Sequence, residues 1–205
     1  MNAMFKGSKR FVPTYIIIAL NIAVYAYTSV IGGDFIDTNP EVIWQYGQVN
    51  LLVLNGWYWQ LFTAMFIHVD IIHLLGNMFF LLIFGFRAED MFNIKEYLFI
   101  YFASGLAGNL LTLVFGPEMV SAGASGAIFG LFGACTIYIR RAIGQSIISA
   151  LMYSFFLLLM SAGPGVNNLA HFGGLVVGLL IGYGSAMKRK LKATYEYKYS
   201  YSIRS

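Results

Sequence analysis

Six long apolar stretches, separated by short polar segments, dominate the hydropathy pattern of this 205-residue chain. They cover residues 11–31, 59–86, 97–115, 124–139, 142–161 and 168–187. A helix needs about 20 apolar residues to cross the roughly 30 Å hydrocarbon core of a bilayer, and most of the stretches reach that length, the fourth being short. The pattern therefore predicts an all-α membrane protein, built as a bundle of six transmembrane helices.

The composition indicates the same class of protein. Hydrophobic residues make up 59% of the chain and charged residues 11%, and the mean hydropathy is +0.70. A single soluble core cannot bury that much apolar surface, so a soluble globular protein is excluded. Residues 11–187 form the predicted transmembrane domain, which a short basic segment at 1–10 precedes and a basic, tyrosine-rich tail at 188–205 follows.

The positions of Lys and Arg predict the orientation, because short cytoplasmic loops are enriched in basic residues. If the N-terminus is cytoplasmic, the inside segments hold all 13 Lys and Arg of the chain, and the outside loops hold only acidic charges. Both termini are then cytoplasmic. The isoelectric point near 9.1 reflects this topology and contact with anionic lipid headgroups, so we expect the lipid bilayer and no nucleic acid as a partner.

Several polar side chains interrupt the second, fourth and sixth stretches. Unsatisfied polar groups are costly in hydrocarbon, so these side chains should face protein or water. Within the second stretch, His73 and Asn77 are four residues apart and share one helix face. Ser125 begins the fourth stretch among glycines, and His171 lies near the start of the sixth.

A count of helical rise brings these residues to one depth. At 1.5 Å per residue, Ser125, His171 and His73 lie roughly 22, 25 and 21 Å from the first basic residue at the inner end of their spans. They therefore share a level about 5–10 Å below the outer surface. To begin a helix at that depth, the segment before Ser125 must dip into the membrane, which requires a cavity open to the outside.

This arrangement predicts nucleophilic catalysis. A serine needs a positioned base, and His171 is the natural base for Ser125. His73 and Asn77 could donate hydrogen bonds to an oxyanion, together with amides at the start of the Ser125 helix. No acidic residue lies deep in a span, so we expect packing alone to orient His171. The glycines that would let the two helices approach closely are Gly126, Gly130 and Gly133 on one and Gly174, Gly178 and Gly182 on the other.

Other kinds of hydrolytic site fit the sequence less well. The chain has no His-Glu-x-x-His motif for zinc and no paired membrane aspartates, so we expect no metal and no cofactor. Ala127 stands at the last glycine position of a Gly-x-Ser-x-Gly elbow, and no strand precedes Ser125. Two other classes stay open. One is a non-catalytic binder of transmembrane helices, and the other is a proton-coupled transporter, against which the lack of buried acids argues.

Three motifs of this chain resemble those of the rhomboid family of intramembrane serine proteases. They are Gly123-Ala124-Ser125-Gly126, His68 followed by His73-x-x-x-Asn77, and Ala170-His171-Phe172-Gly173-Gly174-x-x-x-Gly178. The resemblance covers all six stretches and implies a six-helix rhomboid-like bundle. It implies Ser125 as nucleophile, His171 as its base, and His73, Asn77 and the Ser125 amide as the oxyanion site.

The resemblance carries further expectations. It implies that Glu89 ties loops together at the inner end of the second span, and that the substrates are transmembrane segments cut near small residues in unstable helix. A multi-pass protein of the bacterial plasma membrane is expected, with no particular oligomeric state indicated. Two positions depart from the family pattern: Gln60 replaces a frequent arginine in the first outer loop, and Phe129 replaces a frequent tyrosine that stacks on the base. The alternative is a catalytically silent relative that binds transmembrane helices.

Overall fold

A computed structural model describes residues 12–189 apart from 145 and 164, so the segment 1–10 and the tail beyond 189 lie outside the described residues. The helices are Val12–Gly32 (α1), Pro40–Tyr46 (α2), Asn50–Leu54 (α3), Gln60–Thr63 (α4), Ile71–Met91 (α5), Ile94–Thr112 (α6), Ser125–Ala142 (α7), Ile147–Met160 (α8) and Asn168–Arg189 (α9). Two short strands, Gln48–Val49 (β1) and Val120–Ser121 (β2), pair antiparallel.

Each of the six predicted stretches overlaps one of the long helices α1, α5, α6, α7, α8 and α9. Four described helical segments are long and apolar enough to cross a membrane: Val12–Gly32, Ile71–Met91, Ile94–Phe115 and Asn168–Lys188. The other two differ for physical reasons. Helix α8 has only 14 residues, and the 18-residue helix α7 includes Arg140 and Arg141 in its last turn.

The second predicted stretch is wrong at its start. The helix begins at Ile71 rather than at residue 59, and the residues before it form α4, a 3₁₀ turn at Ala64–Phe66 and an extended segment. Asp70 ends this segment, and its carboxylate caps α5 by accepting a hydrogen bond from the His73 amide at 2.6 Å. Hydropathy did not reveal the boundary because the preceding loop is itself apolar and buried, as Met65 and Ile67 show.

The centre of the molecule is α7, which packs against α5, α6 and α9. Glycines bring α7 and α9 into backbone contact: a methyl group on Gly174 would collide with the Gly126 carbonyl oxygen, and one on Gly178 with that of Gly130. Helix α6 approaches α9 in the same way, since a methyl group on Gly108 would collide with the Ala170 carbonyl. Helices α6, α7 and α9 therefore form one closely packed unit.

The long loop after α1 is held to this unit by polar side chains. The pairing of β1 with β2 joins it to the segment that leads to Ser125. Gln60 is fully buried; its Oε1 accepts a hydrogen bond from the Val49 amide at 2.9 Å, and its Nε2 donates to the Trp44 carbonyl at 2.8 Å. The glutamine that replaces the frequent arginine thus makes loop contacts of its own.

Candidate active site

The first turns of three helices carry the polar residues of the candidate site. His73 is the third residue of α5, Ser125 is the first residue of α7, and His171 is the fourth residue of α9. The first amides of a helix have no intrahelical acceptor, and the helix dipole gives this end a partial positive charge. The first amides of α5 and α9 donate to the caps Asp70 and Asn167, whereas α7 begins at Ser125 with no side-chain cap.

Ser125 and His171 are in hydrogen-bond contact. The distance between Ser125 Oγ and His171 Nε2 is 2.9 Å. His171 is buried, with 8% of its surface exposed, and its ring stacks on Phe129 with the ring centroids 4.5 Å apart and the planes inclined by 20°. A serine hydroxyl and an imidazole in this geometry can exchange a proton.

His73 and Asn77 face the backbone immediately before Ser125. A methyl group on Gly123 would lie 2.8 Å from Cε1 and 2.9 Å from Nε2 of His73, and 3.6 Å from Nδ2 of Asn77. Gly123 also has φ +123°, a conformation that other residues rarely adopt. Asn77 Nδ2 donates one hydrogen bond to the His73 carbonyl at 3.1 Å, which leaves its second N–H for the cavity.

These side chains line a cavity of about 730 Å³. Its walls combine the polar groups around Ser125 with apolar side chains of α5 and α8, among them Phe80, Phe84, Leu157 and Met160. A mostly apolar cavity with a few convergent polar groups is typical of an active or binding site. Within the part of the chain that the structure describes, no group of three His, Cys, Asp or Glu is placed to hold a metal ion.

Comparison with known proteins decides to which family the chain belongs. A family model described as "Rhomboid domain" matches residues 55–188, which include every residue of the site. The chain belongs to the rhomboid family. This rhomboid is accordingly a multi-pass integral membrane protein, in agreement with its apolar helices.

Curated relatives come from a bacterium and from a plant. The rhomboid is 36% identical over 174 residues to "Rhomboid protease GluP" of Bacillus subtilis, covering 80% of this chain and 33% of that protein. It is 39% identical over 131 residues to "RHOMBOID-like protein 6, mitochondrial" of Arabidopsis thaliana, covering 61% and 43%. It is 39% identical over 133 residues to "RHOMBOID-like protein 2" of the same plant, covering 61% and 41%. The matched region thus spans less than half the length of these relatives.

His68 lies behind His73 rather than in the cavity wall of this rhomboid. It is 1% exposed, and the centroids of the two imidazole rings are 5.1 Å apart, in an edge-to-face arrangement. Its backbone carbonyl accepts a hydrogen bond from the Thr38 hydroxyl at 2.6 Å. His68 thus packs against His73 and anchors the outer loop, and it does not reach Ser125.

Glu89 lies at the far end of α5 from the site. Its Oε1 accepts a hydrogen bond from the Thr14 amide at 2.9 Å, and the Thr14 hydroxyl lies 3.1 Å from the Tyr97 hydroxyl. A carboxylate at the start of a helix stabilises the free amides there. Among the described residues, the Glu89 contact joins α5 to the beginning of α1; its expected role in tying loops together stays a prediction.

Sequence reasoning missed Ser161 in the rhomboid site. The residue follows α8, and its Oγ lies 3.3 Å from His171 Nδ1. The expectation that packing alone orients His171 is therefore wrong, because a hydroxyl contacts the nitrogen that faces away from Ser125. No sequence signal marked this serine, since it lies in a Gly- and Pro-rich loop ten residues before the histidine.

Asn167 was also missed. It caps α9: its Oδ1 accepts a hydrogen bond from the Ala170 amide at 3.0 Å. Its Nδ2 donates to the Thr112 hydroxyl at 2.7 Å and to the Ser121 hydroxyl at 2.8 Å. Asparagine directly before an apolar helix is a capping signal that could have been read from the sequence. The loop before α9 therefore ends in a residue that anchors the His171 helix to α6 and β2.

Proposed function

We propose that this rhomboid is an intramembrane serine endopeptidase that cleaves transmembrane segments of membrane proteins near the outer face of the membrane. The observation that carries the proposal is the 2.9 Å contact between Ser125 Oγ and His171 Nε2. The name of the bacterial relative, a rhomboid protease, supports the same reaction class.

In the first half of the proposed reaction, His171 Nε2 accepts the Ser125 hydroxyl proton while Oγ attacks the carbonyl carbon of the scissile peptide bond. The tetrahedral intermediate collapses as His171 returns this proton to the leaving amine, and an acyl-enzyme ester remains on Ser125. In the second half, His171 removes a proton from water as the water oxygen attacks the ester, and it then returns this proton to Ser125 Oγ as the C–Oγ bond breaks and the new carboxylic acid leaves. Neither half requires a metal or a cofactor.

Charge on the carbonyl oxygen develops beside three donors. The Ser125 amide opens α7 and has no intrahelical acceptor, Asn77 Nδ2 has an N–H to spare, and His73 donates when Nε2 carries its proton. Removing one such donor from a serine hydrolase costs about 10²–10³ in kcat. Gly123 supports this oxyanion site because any side chain there would displace the His73 ring.

The proposed topology has six spans. Helices α7 and α8 cross the membrane together with the four longer helices. The outer cavity and the loops at membrane depth compensate for the short length of α7 and α8. With the basic residues inside, both termini are cytoplasmic and the cavity opens outward. In this proposal residues 11–187 form the transmembrane domain of a bacterial plasma-membrane protein, with the basic segments 1–10 and 188–205 at the cytoplasmic surface.

The proposed substrates enter an apolar cavity and must offer an extended peptide bond to Ser125. A transmembrane helix with small residues can unwind locally, so such segments are the expected substrate class. A folded soluble protein would have to unfold and enter the apolar site, which makes it a poor substrate.

The test is cleavage of a model transmembrane substrate in liposomes. The wild-type protein should cleave it, and Ser125→Ala and His171→Ala should each abolish cleavage. Ser149→Ala, which removes a hydroxyl of α8 remote from the cavity lining, should cleave like wild type. Cleavage by Ser125→Ala would overturn the proposal, and binding without cleavage by wild type would indicate a silent rhomboid instead.

A further inference from the structure

The imidazole of His171 has a polar contact on each side. Nε2 lies 2.9 Å from Ser125 Oγ, and Nδ1 lies 3.3 Å from Ser161 Oγ. A neutral imidazole carries one proton, so one nitrogen donates and the other accepts. Proton transfer from Ser125 requires Nε2 to be the acceptor, and the proton must therefore be on Nδ1.

The Ser161 hydroxyl already donates its proton to another hydrogen bond. Ser161 Oγ donates to the Leu158 carbonyl at 2.7 Å, which is shorter than its 3.3 Å distance to His171. The amides of Ser161 and Ala162 bond instead to Leu157 and Leu159, at 3.0 and 3.1 Å. The Leu158 carbonyl belongs to the last turn of α8, where carbonyls lack an intrahelical donor. This carbonyl therefore holds the Ser161 proton, and a lone pair of Oγ is left facing His171.

We propose that Ser161 is a positioning residue that accepts a hydrogen bond from Nδ1–H of His171 and so keeps Nε2 free to take the proton of Ser125. The inference rests on the proposed serine protease function and adds a third group to it. Which nitrogen of a histidine carries the proton is set by the hydrogen bond that the other nitrogen makes. In this rhomboid a hydroxyl takes the place that a carboxylate holds in a Ser-His-Asp triad.

The surroundings of His171 assign this task to Ser161. Phe129 covers one face of the ring and offers only apolar contact. Among the described residues, Ser161 is the one side chain within hydrogen-bond distance of Nδ1. Packing on Phe129 fixes the plane of the ring but does not distinguish its two tautomers, whereas an acceptor at Nδ1 does.

Removing the acceptor should lower turnover without changing substrate affinity. For Ser161→Ala we expect kcat to fall roughly 10-fold, the factor that corresponds to one ordinary hydrogen bond, with KM unchanged. Ser161→Thr keeps the hydroxyl and should restore at least half of the wild-type kcat. Ser149→Ala is the matched control, because it removes the same kind of bond on the same helix, from Oγ to the Ser146 carbonyl at 2.9 Å, without touching His171.

The direct readout is the tautomer of His171, measured by ¹⁵N NMR of histidine-labelled protein in detergent above neutral pH. The chain has three histidines, and the signals that are lost in His171→Gln belong to His171. Wild type, Ser161→Thr and Ser149→Ala should show Nδ1 protonated and Nε2 unprotonated. Ser161→Ala should shift the ring toward the Nε2–H form, a change that a purely structural role of Ser161 would not produce.

Two failures can be told apart by labelling the same samples with a fluorophosphonate. If wild type is labelled on Ser125 but Ser161→Ala leaves the His171 tautomer unchanged, the inference is wrong and the protease function stands. If wild type takes no label on Ser125, the protease function fails, and the inference fails with it.

Discussion

Helix α9, which carries His171, and helix α8, which ends beside it, differ in how tightly they are packed. Helix α9 meets α7 backbone to backbone, since Gly174 and Gly178 lie against carbonyl oxygens of Gly126 and Gly130. Helix α8 buries few residues, Ala150 and Ser154 among them. Its exposed large side chains are Ile147, Ile148, Leu151, Met152, Tyr153, Phe155, Phe156, Leu159 and Met160.

This difference in packing means that two separate elements position the His171 ring. The place of His171 relative to Ser125 depends on α9, which cannot shift without a backbone collision. The contact on the other side of the same ring comes from the end of α8, whose contacts are sparser and made by side chains. Substitutions in α9 should therefore change whether the site forms, and substitutions in α8 should change how well it works.

A large loss of stability is expected where the backbones touch. Gly178→Val would force a branched side chain onto the Gly130 carbonyl, and overpacking of this kind costs about 1–3 kcal/mol or more. Gly184→Val on the same helix has open space around its Cβ and should change stability by less than about 1 kcal/mol. Thermal unfolding in detergent would compare the two, and equal losses would contradict close packing of α7 and α9.

The next effect concerns the proposed oxyanion site. Gly123→Ala should lower kcat about 10²–10³-fold, because the methyl group displaces His73, one donor of the site. Gly56→Ala is the matched control: Gly56 also has positive φ, +102°, but nothing within 4 Å of its Cβ. Both variants should lose stability because of the positive φ, and only Gly123→Ala should lose turnover. A similar loss of kcat in both would show that strain, rather than the contact with His73, matters.

A smaller effect is expected in the outer loop. Gln60→Leu leaves the Val49 amide and the Trp44 carbonyl without their buried partner, which should lower the free energy of unfolding by about 1–3 kcal/mol. Gln45→Leu changes an exposed glutamine of the same loop and should be nearly neutral. Thermal unfolding measures both, and a neutral Gln60→Leu would show that this loop is held by other contacts.

The smallest effect should come from the exposed face of α8. Leu159 is 56% exposed, and Leu159→Ala should change stability by no more than about 0.5 kcal/mol. Leu131 of α7 is fully buried, and Leu131→Ala should cost about 2–5 kcal/mol. The same unfolding assay compares them. If Leu159→Ala were as damaging as Leu131→Ala, α8 would be as firmly packed as α7.

Much of the candidate site could be predicted because its residues have few alternatives. Polar groups inside apolar stretches must face one another or water, so Ser125, His73 and His171 could be brought to one level by counting helical rise. The glycine spacing also predicted the close approach of α7 and α9. In both cases the regular geometry of a helix carries the information.

The differences arise where the chain is not regular. Residues 59–70 are mostly apolar and run directly into the helix, and the cap at Asp70 is a local hydrogen bond that hydropathy does not detect. Ser161 reaches His171 only because the end of α8 lies beside the first turn of α9, a tertiary contact between elements. Its role therefore became visible only with the structure.

The most direct test of the account is to map the serine that reacts with a fluorophosphonate in detergent-solubilised protein. We expect mass spectrometry to find the label on Ser125 of the wild type and to find none there in His171→Ala, because the serine then lacks its base. A wild type that stays unlabelled, a label on a different serine, or full labelling of Ser125 in His171→Ala would contradict a catalytic pair of Ser125 and His171.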